Sequence, residues 1–254
     1  MQASSKGFTL LELLISAAMG LVLIAGFSSF YVDQRVTNQV LIDELDTMRR
    51  SRLMLSYFEQ FLSQAGYQPK HTIGMFYSDV FPVATDFTAG QYFKVEPSSA
   101  GNSTVWLRYH HEDALRTHDC IGNVLPEALL LEMSFTFADD EISCASSATA
   151  SDDGAQLWNM QRVLFRQIAT FKVSQIGVQS SSSSGFIIGP NTLASANFQP
   201  ATVILEAVTY SKKNIFPEAT AQVVRFMDGT EQTFMSRQRH LYRKVAINLN
   251  NQEF

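Results

Sequence analysis

Residues 5–13 read Ser5-Lys6-Gly7-Phe8-Thr9-Leu10-Leu11-Glu12-Leu13, and residues 13–32 continue as LLISAAMGLVLIAGFSSFYV without a charge. An uncharged run of about 20 residues has the length a helix needs to cross the hydrocarbon core of a bilayer. It reads as a membrane segment or a secretory signal. The chain amine and Lys6 precede it, so the positive-inside tendency leaves the N-terminus in the cytoplasm and exports everything after Val32. A cleaved signal is one reading, with small residues at Gly26 and Ser28 as a cleavage site after the apolar run. Two features oppose it: Gly7 stands before the apolar run, and Glu12 sits inside its start. A carboxylate at membrane depth costs roughly 2.5 to 3.5 kcal/mol on insertion scales, so it points to a function and calls for a partner.

The segment Ser5 to Leu13 resembles the class III leader junction of type IV pilins and type II secretion pseudopilins. That resemblance implies cleavage by a prepilin peptidase after Gly7, N-methylation of the new N-terminus at Phe8, and retention of the apolar run. The acidic fifth residue of the mature family falls on Glu12. The physics of the arrangement stands beside the resemblance. Cutting after Gly7 creates a cationic amine at Phe8, one helical turn from Glu12. The two groups can pair within one chain or between neighbours. Pairing with a neighbour's amine would offset the cost of Glu12 in lipid and set how far one helix slides along the next. In the alternative, Glu12 snorkels to the headgroup boundary.

Beyond the membrane run, Leu41, Leu45, Met48, Leu55, Phe58 and Leu62 recur at helical spacing, with Asp43, Glu44, Asp46, Arg49 and Arg50 between them. No proline precedes Pro69, and Gly66 sits where a C-terminal cap belongs. One helix is therefore predicted from Phe8 to about Ala65, roughly 85 Å long at 1.5 Å per residue. Its first half is apolar all round and needs lipid or other helices. Its second half is apolar on one stripe and needs a sheet.

After Tyr67 the period changes to that of strands. Leu129, Leu131, Met133, Phe135 and Phe137 alternate with Glu132, Ser134 and Thr136, the repeat of a sheet with one buried face. Similar runs cover residues 163–173, 202–209, 222–227 and 242–249, and Asp228-Gly229 is a tight-turn signal between two strand-like segments. The serines at 180–184 read as a flexible loop. The expected fold class is α+β, with the stripe of the long helix laid on a mainly antiparallel sheet. The division is residues 1–7 leader, 8–32 transmembrane, 33–66 amphipathic helix, and 67–254 β-rich head.

The helix ending Ala65-Gly66-Tyr67 narrows the resemblance to PilW-type minor pilins. The strand-like Thr104-Val105-Trp106-Leu107-Arg108-Tyr109, then Asp119-Cys120-Ile121-Gly122, then Ile142-Ser143-Cys144 repeat that family's order. The resemblance runs from the leader through about Val178 and is looser beyond, in the strand pattern and in residues 239–248. It implies a pilin fold in the inner membrane. It also implies prepilin peptidase, other minor pilins, the major pilin, the inner-membrane assembly platform and a tip adhesin as partners. The implied function is priming of pilus assembly and a place in or at the tip of the pilus, with twitching motility and adhesion depending on it indirectly. The alternatives are a minor pseudopilin of a type II secretion system and a membrane-anchored periplasmic binding domain.

Of the chain's 254 residues, 46% are apolar and 17% charged, which is the composition of a folded protein, and 19 phenylalanines predict an aromatic-rich core. A net charge of -5 argues against a general nucleic-acid binder. Two cysteines are too few for a disulfide scaffold. Both lie beyond the apolar run, so in the expected orientation Cys120 and Cys144 reach an oxidising compartment and pair. Closing a loop of about 25 residues contributes roughly 3 kcal/mol in the chain-entropy model.

His110-His111-Glu112-Asp113 and His118-Asp119-Cys120 contain metal-ligand chemistry, but adjacent histidines on a strand point to opposite faces and a disulfide removes Cys120 as a ligand. No metal or cofactor is expected. Asp139-Asp140-Glu141 and Asp152-Asp153-Gly154 lack EF-hand spacing and read as solvated loops rather than calcium sites. Arg225, Arg237, Arg239, His240, Arg243 and Lys244 form a basic run, read as the wet face of a strand pair rather than a DNA contact. The chain has no Gly-rich phosphate loop, no Gly-x-Ser-x-Gly elbow and no metalloprotease helix, so an enzyme is not expected.

Overall fold

In the computed structural model, Thr9 opens a single helix, α1, spanning Leu10–Leu62. The structure describes residues 9–68, 75–84, 86–97, 103–111, 118–126, 129–150, 156–179, 186–190, 198–216 and 218–249. The leader residues Gly7 and Phe8 lie outside this set, as do Glu112, Asp113, Asp152, Asp153, Gly154 and the serines at 180–184. The 53 residues of α1 contain no proline, which keeps every backbone donor of the helix interior available. The helix ends one turn before the expected Ala65. Gln64 and Ala65 donate back three residues to Phe61 and Leu62, and Gly66 takes φ 76°. That left-handed conformation is cheap only for glycine and aims the Gly66 N–H at the Arg108 carbonyl, 2.7 Å away.

The chain divides within α1 into two units, residues 1–46 and 47–254. In the second unit, Thr47, Ser51, Met54, Leu55, Phe58, Phe61 and Leu62 are buried, a stripe at helical spacing. Leu55, Phe58 and Leu62 were expected there. Leu41 and Leu45 were also expected to be covered, but they are 50% and 64% exposed. The buried stripe begins only at Thr47 and takes in Met54 and Phe61 instead.

A short helix α2, Tyr77–Val80, leads to the first sheet. Its strands are β1 (Phe93–Pro97), β2 (Ser103–His111), β3 (Leu129–Ala138), β4 (Glu141–Ala150) and β5 (Gln156–Arg166), antiparallel and in sequence order. The second sheet comprises β6 (Ile168–Gln179), β7 (Phe186–Pro190), β8 (Phe198–Tyr210) and β11 (His240–Asn248), in the order β11-β8-β6-β7. Between β8 and β11 lie β9 (Thr220–Arg225) and β10 (Glu231–Ser236), a separate antiparallel hairpin. Its turn follows the sequence signal: Gly229 takes φ 80°, and the Asp228 carboxylate accepts the Thr230 N–H at 2.9 Å.

The alternation of β3 appears as expected, with Leu129, Leu131, Met133, Phe135 and Phe137 all buried. The run at 163–173 does not form one strand. It breaks at Gln167, whose φ of 65° turns the chain from β5 in one sheet to β6 in the other. Asp139 and Asp140 take φ 52° and 61° and form the two-residue β3–β4 turn. Aspartate tolerates the left-handed conformation that such a hairpin demands, so these acids serve backbone geometry.

The helix stripe and both sheets share one aromatic core. Phe58 is fully buried, with ring centroids 4.9 Å from Phe135 of the first sheet and 5.1 Å from Phe171 of the second. Edge and tilted contacts of this kind add about 0.5–1.5 kcal/mol per pair beyond burial itself.

Candidate assembly site

The N-terminal part of α1 is apolar on every side, and among the described residues its large side chains stand exposed. Large side chains from Leu10 to Val32 range from 49% (Ile15) to 80% (Leu10) exposed. The most apolar 18-residue window of the helix has a mean hydropathy of 2.3 and 0% of it is buried. Two of its serines bond back within the helix. The Ser16 hydroxyl donates to the Glu12 carbonyl at 2.8 Å, and that of Ser29 to the Gly26 carbonyl at 2.9 Å. Such back-bonding removes the cost of a bare hydroxyl in an apolar medium. At the end of the uncharged run, the Arg35 guanidinium stacks over the Tyr31 ring at 4.8 Å, a pairing suited to a headgroup boundary.

Glu12 has a local role that the sequence reading did not include. The Glu12 N–H donates to the Thr9 hydroxyl at 3.3 Å, while the Thr9 N–H and hydroxyl each lie 3.4 Å from Glu12 Oε2. This is a reciprocal capping box, legible in Thr9-Leu10-Leu11-Glu12 as Thr-x-x-Glu before an apolar run. At these lengths the bonds are weak and exchangeable. Glu12 thus holds the helix start in the free chain without being fully committed to it.

In the head, a disulfide joins Cys120 to Cys144, with Cα atoms 6.4 Å apart and both residues buried. Beside it, the Asp119 carboxylate accepts from five donors. These are the backbone N–H groups of Ile121 (3.0 Å) and Asn123 (2.8 Å), the Asn123 side-chain amide (3.0 Å), the Ser146 hydroxyl (2.7 Å) and the Trp158 indole (3.2 Å). The Tyr57 hydroxyl donates to the Cys120 carbonyl and ties this corner to α1. Asp119 is therefore occupied by protein donors. The neighbouring His110 ring contacts the Val80 carbonyl at 2.9 Å, whereas His111 is buried. Among the described residues, no group of three or more His, Cys, Asp or Glu side chains is placed to hold a metal.

Arg108, which the sequence places in a strand without a further role, is wholly buried. Its guanidinium donates to the carbonyls of Pro82 (2.7 Å), Phe81 (3.4 Å), Thr88 (3.4 Å) and Gln91, lies 3.5 Å from Glu132, and packs over the Phe87 ring at 4.4 Å. Burial pushes its pKa down, and the Glu132 carboxylate partly restores it. One side chain thereby gathers residues 81–91 onto the first sheet.

The expected basic run is dispersed. Arg225 pairs with Glu231 at 2.6 Å, Arg237 donates to the Phe216 carbonyl at 3.1 Å, and His240 stacks on Phe234 with centroids 4.5 Å apart. Arg243 and Lys244 are successive residues of β11 and face opposite sides of the sheet.

Residues 2–28 match the family described as the prokaryotic N-terminal methylation motif. No curated protein sequence matches the chain. Among solved structures, a type IV-like pilin from Thermus thermophilus matches with a TM-score of 0.51 and 10% sequence identity, over 80% of this chain and 95% of that one. At that identity the likeness is one of fold. The chain carries the N-terminal methylation motif of type IV prepilins on a type IV pilin-like fold.

Proposed function

We propose that this protein is a PilW-type minor pilin that primes assembly of a type IV pilus and is incorporated in or at the tip of the fibre. The observation that carries the reading is the junction itself. A leader ending at Gly7 is followed by a helix that is apolar and exposed on all sides until it enters the buried stripe of a β-rich head. Such a helix is insoluble alone and stable in only two settings, a bilayer or a bundle of similar helices. A pilin occupies each in turn. Prepilin peptidase and the assembly platform are its partners in the inner membrane, and other minor pilins and the major pilin are its partners in the fibre. The head is periplasmic and later surface-exposed, a compartment in which the Cys120–Cys144 bridge persists. Twitching and adhesion follow indirectly.

The test is the N-terminal residue and its mass, on protein from native membranes and from sheared surface fibres. N-methylated Phe8 in both fractions is the expected result. Retained Met1, or a start near Ser29, would return the chain to an anchored or secreted domain.

The two roles of Glu12 are separable. Glu12→Ala should lower recovery in the fibre fraction by about tenfold or more, the equivalent of losing at least ~1.4 kcal/mol of pairing. Thr9→Ala removes the capping hydroxyl but keeps the carboxylate, and should leave recovery within about twofold, since an exposed cap contributes only about 1 kcal/mol to the helix. Equal losses in the two variants would make Glu12 a cap and not a register residue.

A further inference from the structure

The β9–β10 ladder bonds as a two-stranded sheet of its own, and its attachments to the second sheet run through side chains. It lies on the side of β8 away from α1. Val203, Leu205 and Ala207 point into the shared core, while Ile204, Glu206 and Val208 point to the opposite face and are buried as well. The hairpin covers that second face: Phe226 at its turn is 3% exposed and meets the Tyr242 ring edge-on at 5.9 Å.

Its two ends are held differently. At the base, the entering and leaving segments bond to each other through their backbones. Ser211 donates to the Arg239 carbonyl at 2.9 Å, and Ile215 and Phe216 donate to the Arg237 carbonyl at 2.8 and 2.9 Å. At the turn, the attachment rests on a buried carboxylate. Glu206 Oε1 accepts the Met227 N–H at 2.9 Å and the Tyr242 hydroxyl at 2.5 Å. Burial and this carboxylate push the Tyr242 phenol well above its usual pKa, so it stays a donor. Lys172, directly across the ladder from Glu206, reaches Asp228 at 3.0 Å and the Thr230 hydroxyl at 2.5 Å.

The latch is imperfect. Glu206 is fully buried, yet among the described residues no hydrogen-bond donor reaches its Oε2. A buried carboxylate oxygen left unbonded raises the free energy of the closed state, and water would bond it as soon as the turn lifted. An isolated two-stranded hairpin is marginal in water, so once lifted its own ladder bonds would exchange. We propose that the β9–β10 hairpin is a strap, hinged where residues 211–216 meet residues 237–239 and latched at its turn by Glu206, which lifts while the sheet beneath stays folded. Lifting uncovers Ile204, Val208 and Phe226, an apolar strip hidden in the closed chain.

Amide hydrogen exchange on the full-length protein in detergent micelles tests this. In the unmodified chain, amides of residues 220–236 should exchange at least about tenfold faster than those of β8 and β11, as a sub-global opening requires. Glu206→Leu should speed residues 220–236 by a further factor of about ten and leave β8 unchanged, while Glu206→Gln, which keeps an acceptor for Met227, should stay within about threefold of the unmodified chain. One common rate for strap and sheet in the unmodified chain would overturn the proposal. So would a Glu206→Leu effect that is absent, or that is equal in residues 220–236, β8 and β11.

Discussion

Arg108→Met is expected to cost roughly 3–5 kcal/mol of head stability, since it strips the donors from buried carbonyls at about 1–3 kcal/mol for each one left unsatisfied. For a domain of this size that is a fall in Tm on the order of 10 °C. The reason lies in what the guanidinium bonds. Four carbonyls, those of Phe81, Pro82, Thr88 and Gln91, point inward from one irregular segment, and Arg108 supplies their donors from β2. Methionine fills much of the volume and bonds none of them; the Phe81 and Thr88 carbonyls keep the N–H groups of Gly90 and Gln91, but those of Pro82 and Gln91 must find water or stay bare. Arg108→Lys keeps the charge but replaces a planar fork with a point donor, and should recover about half the loss. Thermal unfolding of the full chain in micelles measures both. A shift under about 2 °C for Arg108→Met would show that water already serves those carbonyls.

Arg108 also shows why part of this molecule is invisible in its sequence. Its partners are backbone carbonyls of a loop, and backbone groups leave no residue signature. What the sequence carries well is periodicity. The alternation from Leu129 to Phe137 names the buried face of β3 residue by residue, and Asp228-Gly229 places the β9–β10 turn. Periodicity fails where apolar residues at helical spacing remain exposed. Leu41 and Leu45 continue the spacing of Leu55, Phe58 and Leu62, and nothing in their chemistry separates a leucine that the fold buries from one that it leaves exposed. It fails again at Gln167, where a positive φ falls on a residue with no turn preference and an apolar run passes from one sheet to another. At the candidate assembly site, the capping box is legible in the sequence as Thr9-x-x-Glu12.

Asp119→Ala should be comparably damaging, at roughly 3–5 kcal/mol, because it strands several donors around a cavity that water cannot easily enter. The carboxylate is 4% exposed, and its partners come from three places in the chain: the loop at 121–123, β4 through Ser146 and β5 through Trp158. The disulfide ties β4 to the same loop one residue away. The two devices act on different states. The disulfide restricts the unfolded chain, whereas Asp119 stabilises the folded one. If that division holds, losses from Asp119→Ala and from a Cys120→Ser, Cys144→Ser pair should approach additivity in spite of their closeness, departing by less than about 1 kcal/mol. If the disulfide instead positions the loop for Asp119, removing it first would already forfeit the carboxylate's bonds, and Asp119→Ala would then cost little more. Chemical denaturation of the three variants separates the cases. A coupling above about 2 kcal/mol would mean that bridge and carboxylate form one native-state structure, with the bridge setting the geometry in which five donors converge.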